Sequence, residues 1–288
     1  MRPWMTTLAM ALSLTACVRE AAIRGGSYCA PPVVPAPFPS DPPPAASASR
    51  DERMAALLGM GALLAKGTPD EATRTDLLAR IEEARLSIAG TRAELDCAAE
   101  RARQQADYLT HANQGAVHAL TVGSIAAAAV TGIVSVFLST GQSSRWTQNG
   151  FAVGGGAVTA GLGVASLYVD VPIRIELPRN LLADVWFGPK ESSVYPSVVW
   201  GYFTQSGFSN DQQQPIRERL VERWIHFQGV QKDDQEMVTL LFGSGGTYDE
   251  GTLRKRAGMI DQVKAEVDLM NQDIAVLARR ILELRTRP

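Results

Sequence analysis

The sequence predicts an all-α protein: an elongated antiparallel coiled-coil stalk carrying an apolar, glycine-rich helical hairpin and a small helical cap. Three observations lead there. Apolar and small residues recur at alternating spacings of four and three in two separate stretches, the period of a helix-pairing seam. In a chain of sixteen prolines, none falls between Pro69 and Pro172, so long helices can run there without a break. Between the two seams lie residues 108–144 and 146–169, which contain no Asp, Glu, Lys or Arg and are separated by Arg145 alone. The bulk composition sets the bounds. A chain of 288 residues with 45% hydrophobic content can bury a core in one large or two small domains. A formal net charge of -2 provides no basic field, which excludes nucleic acid as a partner.

The first element is residues 1–16, where Met1-Arg2 opens an apolar run that ends in small residues before Cys17, the pattern of an export signal. Leu14-Thr15-Ala16-Cys17 resembles the lipobox of bacterial lipoproteins. That resemblance implies that Cys17 is acylated and becomes the first residue of the mature protein, with the lipid bilayer as its partner. Val18 follows Cys17 in place of the Asp associated with inner-membrane retention in enteric bacterial lipoproteins, which implies the periplasmic side of the outer membrane. With Cys17 on lipid, Cys29 and Cys97 are left in an oxidising compartment where disulfides persist. They either pair or stand as two separate thiols, because sequence sets no distance between their α-carbons.

Residues 17–51 form a tether. Eight of the sixteen prolines lie in residues 31–44, a composition that favours extended polyproline II over any packed element. From Cys17 to Glu52 such a chain reaches on the order of 100 Å, at about 3.3 Å per residue.

Residues 52–114 hold the N-terminal helices and the first arm of the stalk. One helix is expected over residues 52–66, ended by Gly67. At Thr68-Pro69-Asp70-Glu71 a capping-box Thr and Glu three apart flank a proline at the first helical position, which marks a second start. The seam that follows is Leu77, Ile81, Ala84, Ile88, Thr91, Leu95, Ala98 and Ala102, continued in frame by Leu109.

Residues 115–170 form the hairpin. Each charge-free stretch is long enough to cross ~30 Å of hydrocarbon. Small residues recur every fourth position at Ala119, Gly123, Ala127, Thr131 and Ser135, and again at Ala152, Gly156 and Ala160 and at Ala157, Gly161 and Ala165. Gly123, Gly132, Gly156 and Gly161 would let two helix backbones approach closely, as small residues do in membranes. Residues 115–139 and 150–169 are therefore expected to contact lipid. The competing reading is a hairpin buried in protein, since each of the six glycines between residues 150 and 163 weakens a helix by ~1 kcal/mol.

Residues 171–252 are punctuated by Pro, Gly and aromatic residues, including Trp186, Trp200 and Trp224. Helices are expected over 180–187, 196–204, 215–227 and 234–242, joined by turns such as Gly188-Pro189 and Gly243-Ser-Gly-Gly246. Ile173 to Leu177 alternates like a strand, with no partner strand in view. The last element, residues 253–288, carries the second seam: Ile260, Val263, Val267, Met270, Ile274, Leu277, Ile281 and Leu284.

The sequence contains no His-Glu-x-x-His, Walker loop, Gly-x-Ser-x-Gly or Cys-x-x-Cys. His111 and His118 stand two helical turns apart, ~10.5 Å, too far to share one ion without another chain. His226 in Trp224-Ile-His-Phe227 is expected to be a packed aromatic neighbour. No catalytic residue, metal or cofactor is therefore assigned. The expected role is a non-enzymatic, lipid-anchored envelope scaffold that binds a protein partner or copies of itself. In organisation the chain is similar to the surface-exclusion lipoproteins of conjugative plasmids, which join a lipid anchor to glycine-rich apolar segments. An alternative role is membrane permeabilisation, since the chain also resembles helical pore-forming toxins in joining coiled coil to an apolar hairpin.

Overall fold

The computed structural model describes residues 29, 40–42, 44–45, 47–65, 69–140, 171–210 and 213–283, with side chains along residues 121–140 described up to residue 129 except at 127. The elements are α1 (Arg50–Leu57), α2 (Gly61–Leu64), α3 (Glu71–Thr140), β1 (Ile173–Glu176), α4 (Ala183–Phe187), α5 (Ser197–Thr204), α6 (Ile216–Gln228), α7 (Gln235–Phe242), β2 (Gly245–Tyr248) and α8 (Glu250–Glu283). The protein is thus mostly helical with one minor two-stranded sheet. Two compact units divide the chain. The larger comprises Ile23–Arg103, Ile175–Thr247 and Gly251–Pro288, and the other Met1–Ala22, Gln104–Arg174 and Tyr248–Glu250.

In the larger unit, α3 and α8 run antiparallel and bury their apolar stripes. Leu77, Ala84, Ile88 and Leu95 on α3 are fully buried, as are Ile260, Val263, Val267, Met270, Leu277 and Ile281 on α8. The direction of pairing is visible in the ion pairs that flank the stripe: Arg92 with Asp268 at 2.9 Å, Asp96 with Lys264 at 3.0 Å, and Arg103 with Asp261. Numbers rise along one helix as they fall along the other. The Lys264 ammonium, hydrogen-bonded to Asp96, holds that carboxyl below its ordinary range.

Helix α3 starts at Glu71, where the Asp70 carboxylate accepts the Thr73 N–H at 2.7 Å. The side-chain cap is therefore Asp70, whereas Thr68 lies outside the described residues. Residues 52–66 do not form one helix. The chain breaks between α1 and α2 at Gly59, whose φ of 63° is left-handed, and the Met60 N–H turns back to the Ala55 carbonyl at 2.7 Å. A Ser49–Glu52 capping box opens α1.

The all-α expectation needs one correction. Strand β1 has a partner, β2, formed by residues that read as a glycine turn in the sequence. Gly245 adopts φ 93°, and a Cβ there would lie 2.2 Å from the Ile175 carbonyl oxygen. Glycine at this point permits a close backbone approach as well as a bend. Just outside the strands the Leu177 N–H donates to the Ser244 carbonyl at 2.8 Å.

The four cap helices lie within a residue or a turn of their expected spans. They close on one core that includes Trp224, Phe242, Tyr202, Phe203 and Phe208 together with the α3 and α8 stripes. Trp186 stacks on Phe242 with centroids 4.2 Å apart, and Trp224 follows at 5.8 Å. The Trp224 indole N–H is satisfied by Gln262 at 3.1 Å. In the smaller unit, Ala106 and Leu109 are fully buried, and the Asn113 side-chain oxygen accepts the Val171 N–H at 2.8 Å. Among the described residues no helix is long and apolar enough to cross a membrane.

Candidate functional site

Cys29 and Cys97 form a disulfide with α-carbons 5.7 Å apart, closing a separation of 68 residues between the tether and α3. Cys17, Gly156 and Gly161 lie outside the described residues, as does the span 150–169. Gly123 sits on α3, where an added Cβ would meet nothing within 4 Å. Its expected partner, the span 150–169, lies outside the described residues. Gly132 also lies on α3, in the stretch whose surroundings are outside the described residues.

Four partly buried polar groupings brace the cap, three of them against α3 or α8. Arg179 donates to both carboxylate oxygens of Glu94 on α3, at 2.7 and 3.3 Å, and to the Val194 carbonyl. The Asn180 amide donates to the carbonyls of Leu241 and Gly243 at 2.9 and 2.8 Å, and its oxygen accepts from Arg256 of α8 at 3.1 Å. Arg256 also donates to the Leu241 carbonyl at 2.8 Å, so the end of α7 is capped from two sides. The Asp184 carboxylate accepts from the Ser192 hydroxyl at 2.6 Å and from the N–H groups of Ser193 and Val194 at 2.8 and 3.2 Å, which folds that loop onto α4. In the fourth grouping Tyr202 donates to Asp273 at 2.7 Å while Arg50 donates to the other Asp273 oxygen at 2.7 Å.

These groups are committed to structure. Burial, reinforced by the Asp273 hydrogen bond, pushes the Tyr202 phenol far up, and burial near Glu94 and Asp184 does the same to Tyr195. Neither phenol supplies a phenolate near neutral pH. Glu266 on α8 is half-buried, and its carboxyl is pushed up by burial against the opposing pull of Arg223, Arg219 and Arg50. Among the described residues no group of three or more His, Cys, Asp or Glu is placed to hold a metal ion. His111 and His118 are exposed along α3. His226 is exposed too, edge-on to Phe227 at 4.8 Å, rather than packed inside.

The open feature of the cap is a ridge that sequence reasoning missed. Phe187, the last residue of α4, is 63% exposed, and Phe227, near the end of α6, is 75% exposed. Ile225 stands between two shallow grooves of about 500 and 560 Å³, one bordered by Phe187 and the other by Phe227. Arg217, which lines the first groove, is held in place because it donates to the Val185 carbonyl at 3.1 Å. Gly188 turns the chain away there with φ 65°, and a Cβ on it would meet the Arg217 guanidinium at 2.8 Å. The sequence carried no signal for it: by spacing Phe227 continues the buried stripe of Ile216, Leu220 and Trp224, yet at the end of α6 it stands exposed. No family model, no curated protein and no solved structure matches this chain.

Proposed function

We propose that the protein is a non-enzymatic lipoprotein of the cell envelope, anchored through an acylated Cys17 on the periplasmic side of the outer membrane, and that it acts as a membrane-associated scaffold or interaction module. In this reading α3 and α8 form the antiparallel coiled-coil stalk, supported by their buried four-three stripes and flanking ion pairs. The observation that carries the interaction role is the Phe187–Ile225–Phe227 ridge. Two phenyl rings held in water on a rigid helical frame are costly for a monomer and suit contact with another protein.

The anchor and the ridge are tested together in cells. Metabolic labelling with palmitate should mark the wild type and spare Cys17→Ala, and a labelled Cys17→Ala protein would sink the anchor. A photo-crosslinking residue at position 227 should capture a discrete protein, while one at the exposed position 236 should not. Equal capture at both positions would remove the ridge from the argument.

One observation favours the second reading, membrane contact by residues 115–139: Val122 and Ile125 of the charge-free stretch are 52% and 64% exposed on α3. Release of a trapped dye from liposomes by the Cys17→Ala protein would select that reading over the scaffold.

A further inference from the structure

The ridge on the cap carries charges as well as rings. Glu222 and Ile225, three residues apart on α6, form its crest, because both line the Phe187 groove and the Phe227 groove. The arginines around them are engaged within the chain. Arg217 donates to the Val185 carbonyl at 3.1 Å, and Arg219 and Arg223 attract the Glu266 carboxylate of α8. Glu222 and Lys232 differ from these. Both are exposed, both line the Phe187 groove, and neither has an ion-pair partner among the described residues. Glu222 precedes Ile225 by one turn, whereas Lys232 follows the end of α6, where Gly229 turns the chain with φ 64°.

We propose that this face binds a second copy of the chain, α6 against α6 in antiparallel order about a two-fold axis at Ile225. The proposal rests on the reading of the ridge as an interaction surface. A two-fold contact presents the same patch from both sides, so the patch must be complementary to itself. Antiparallel order meets that condition. It sets Ile225 on Ile225 and carries the Glu222 of each copy toward the Lys232 of the other, twice over. At about 1.5 Å per residue the two Glu222 positions stand ~9 Å apart along α6, one on each side of the axis, so the like charges do not meet. Each Phe227, two residues beyond the axis, falls on the groove of the other copy beside Arg223, where a ring over a guanidinium is favoured.

Pairing of this kind withdraws Phe187 and Phe227 of both copies from water in one event. The formal net charge of -2 leaves little repulsion between copies. Both grooves mix cations with Glu222, whereas an anionic bilayer or a polyanion rewards cations alone. The charges of the face therefore suit its own copy.

The test is sedimentation velocity of the full chain carrying Cys17→Ala, which keeps lipid from joining copies. One helix face with its flanks lies at the small end of stable interfaces, so dimer should grow in as concentration rises through the micromolar range. Glu222→Lys and Lys232→Glu should each weaken the dimer about tenfold or more by setting like charges together. An equal mixture of the two variants should restore it, because position 222 of one chain then meets position 232 of the other with opposite charge. Both side chains are exposed, so the circular dichroism of either variant should match the wild type. Ile225→Cys should give a disulfide-linked dimer on mild oxidation, as a residue on the axis meets itself, while Glu236→Cys should not. A wild type that stays monomeric, a dimer indifferent to both charge reversals, or a mixture no stronger than its parts overturns the self-pairing. Capture of a protein of another mass by the crosslinker at position 227 overturns it too, and leaves the ridge as an interaction surface. Equal capture at positions 227 and 236 removes the ridge, and the self-pairing with it.

Discussion

Along α3 and α8 most buried positions are aliphatic, and the ion pairs between the two helices lie outside the stripe, as with Arg92 and Asp268; the buried charges there, Glu94 and Arg256, face the cap. In the cap the order is reversed: Asn180, Asp184 and Arg179 are drawn inward, met by Arg256 from α8, and most of these hydrogen bonds go to backbone groups at loop and helix ends. The helix pair needs few such groups because each backbone polar group inside a helix is satisfied within the helix. The cap has four short helices, and each end exposes carbonyls or N–H groups that burial would otherwise leave unpaired. Regular structure is therefore stabilised by a repeated apolar spacing, and irregular structure by particular polar side chains.

The largest effect that would break this contrast is a charge placed in the stripe. Ile274 is 1% exposed, and Ile274→Asp would bury an unpaired carboxylate there at a cost of about 3–5 kcal/mol. Denaturant melts followed by circular dichroism should show that loss. An unchanged midpoint would mean that α8 does not depend on its seam.

In the cap, the corresponding lesion removes a donor. Asn180→Ala would leave the Gly243 carbonyl without its amide partner and take one acceptor from Arg256, a loss of about 2–3 kcal/mol. The loss should fall on tryptophan fluorescence from the cap before it reaches the far-ultraviolet signal of the long helices. Simultaneous loss of both signals would mean that cap and helix pair unfold as one body.

The smallest effect belongs to Glu266, on the helix pair but facing arginines of α6 and α1. Its carboxyl is raised in the folded protein by burial, so its contribution to stability is full below its unfolded pKa and is lost as pH rises through the folded value. Glu266→Gln should therefore match the wild type in acid and equal or exceed it at neutral pH. A variant less stable at neutral pH would show that the arginines outweigh burial.

The helix pair was legible from the sequence because its rule is periodic: Leu77 to Leu95 and Ile260 to Ile281 declare their buried face by spacing alone. The cap helices were legible by their turn residues, though their polar anchors were not. Nothing in the sequence distinguishes Asn180, which ties α7 to α8, from an ordinary helix cap, since its partners lie 61 to 76 residues away. Strand β2 was missed for a related reason. Its glycines read as a turn until the neighbouring carbonyl of Ile175 shows why no side chain fits. The exposed phenyl of Phe227 was passed over because an aromatic residue is usually taken to face inward.

The contact between Leu177 and Ser244 also bears on how such a chain can change over generations. It brings the entrance and exit of the cap together across one hydrogen bond of 2.8 Å. A segment whose two ends meet can be exchanged for another of different length without moving the strands on either side, because the closing distance stays the same. The larger unit thus has a socket at which lineages, or engineers, can fit a different recognition surface onto the same pair of helices.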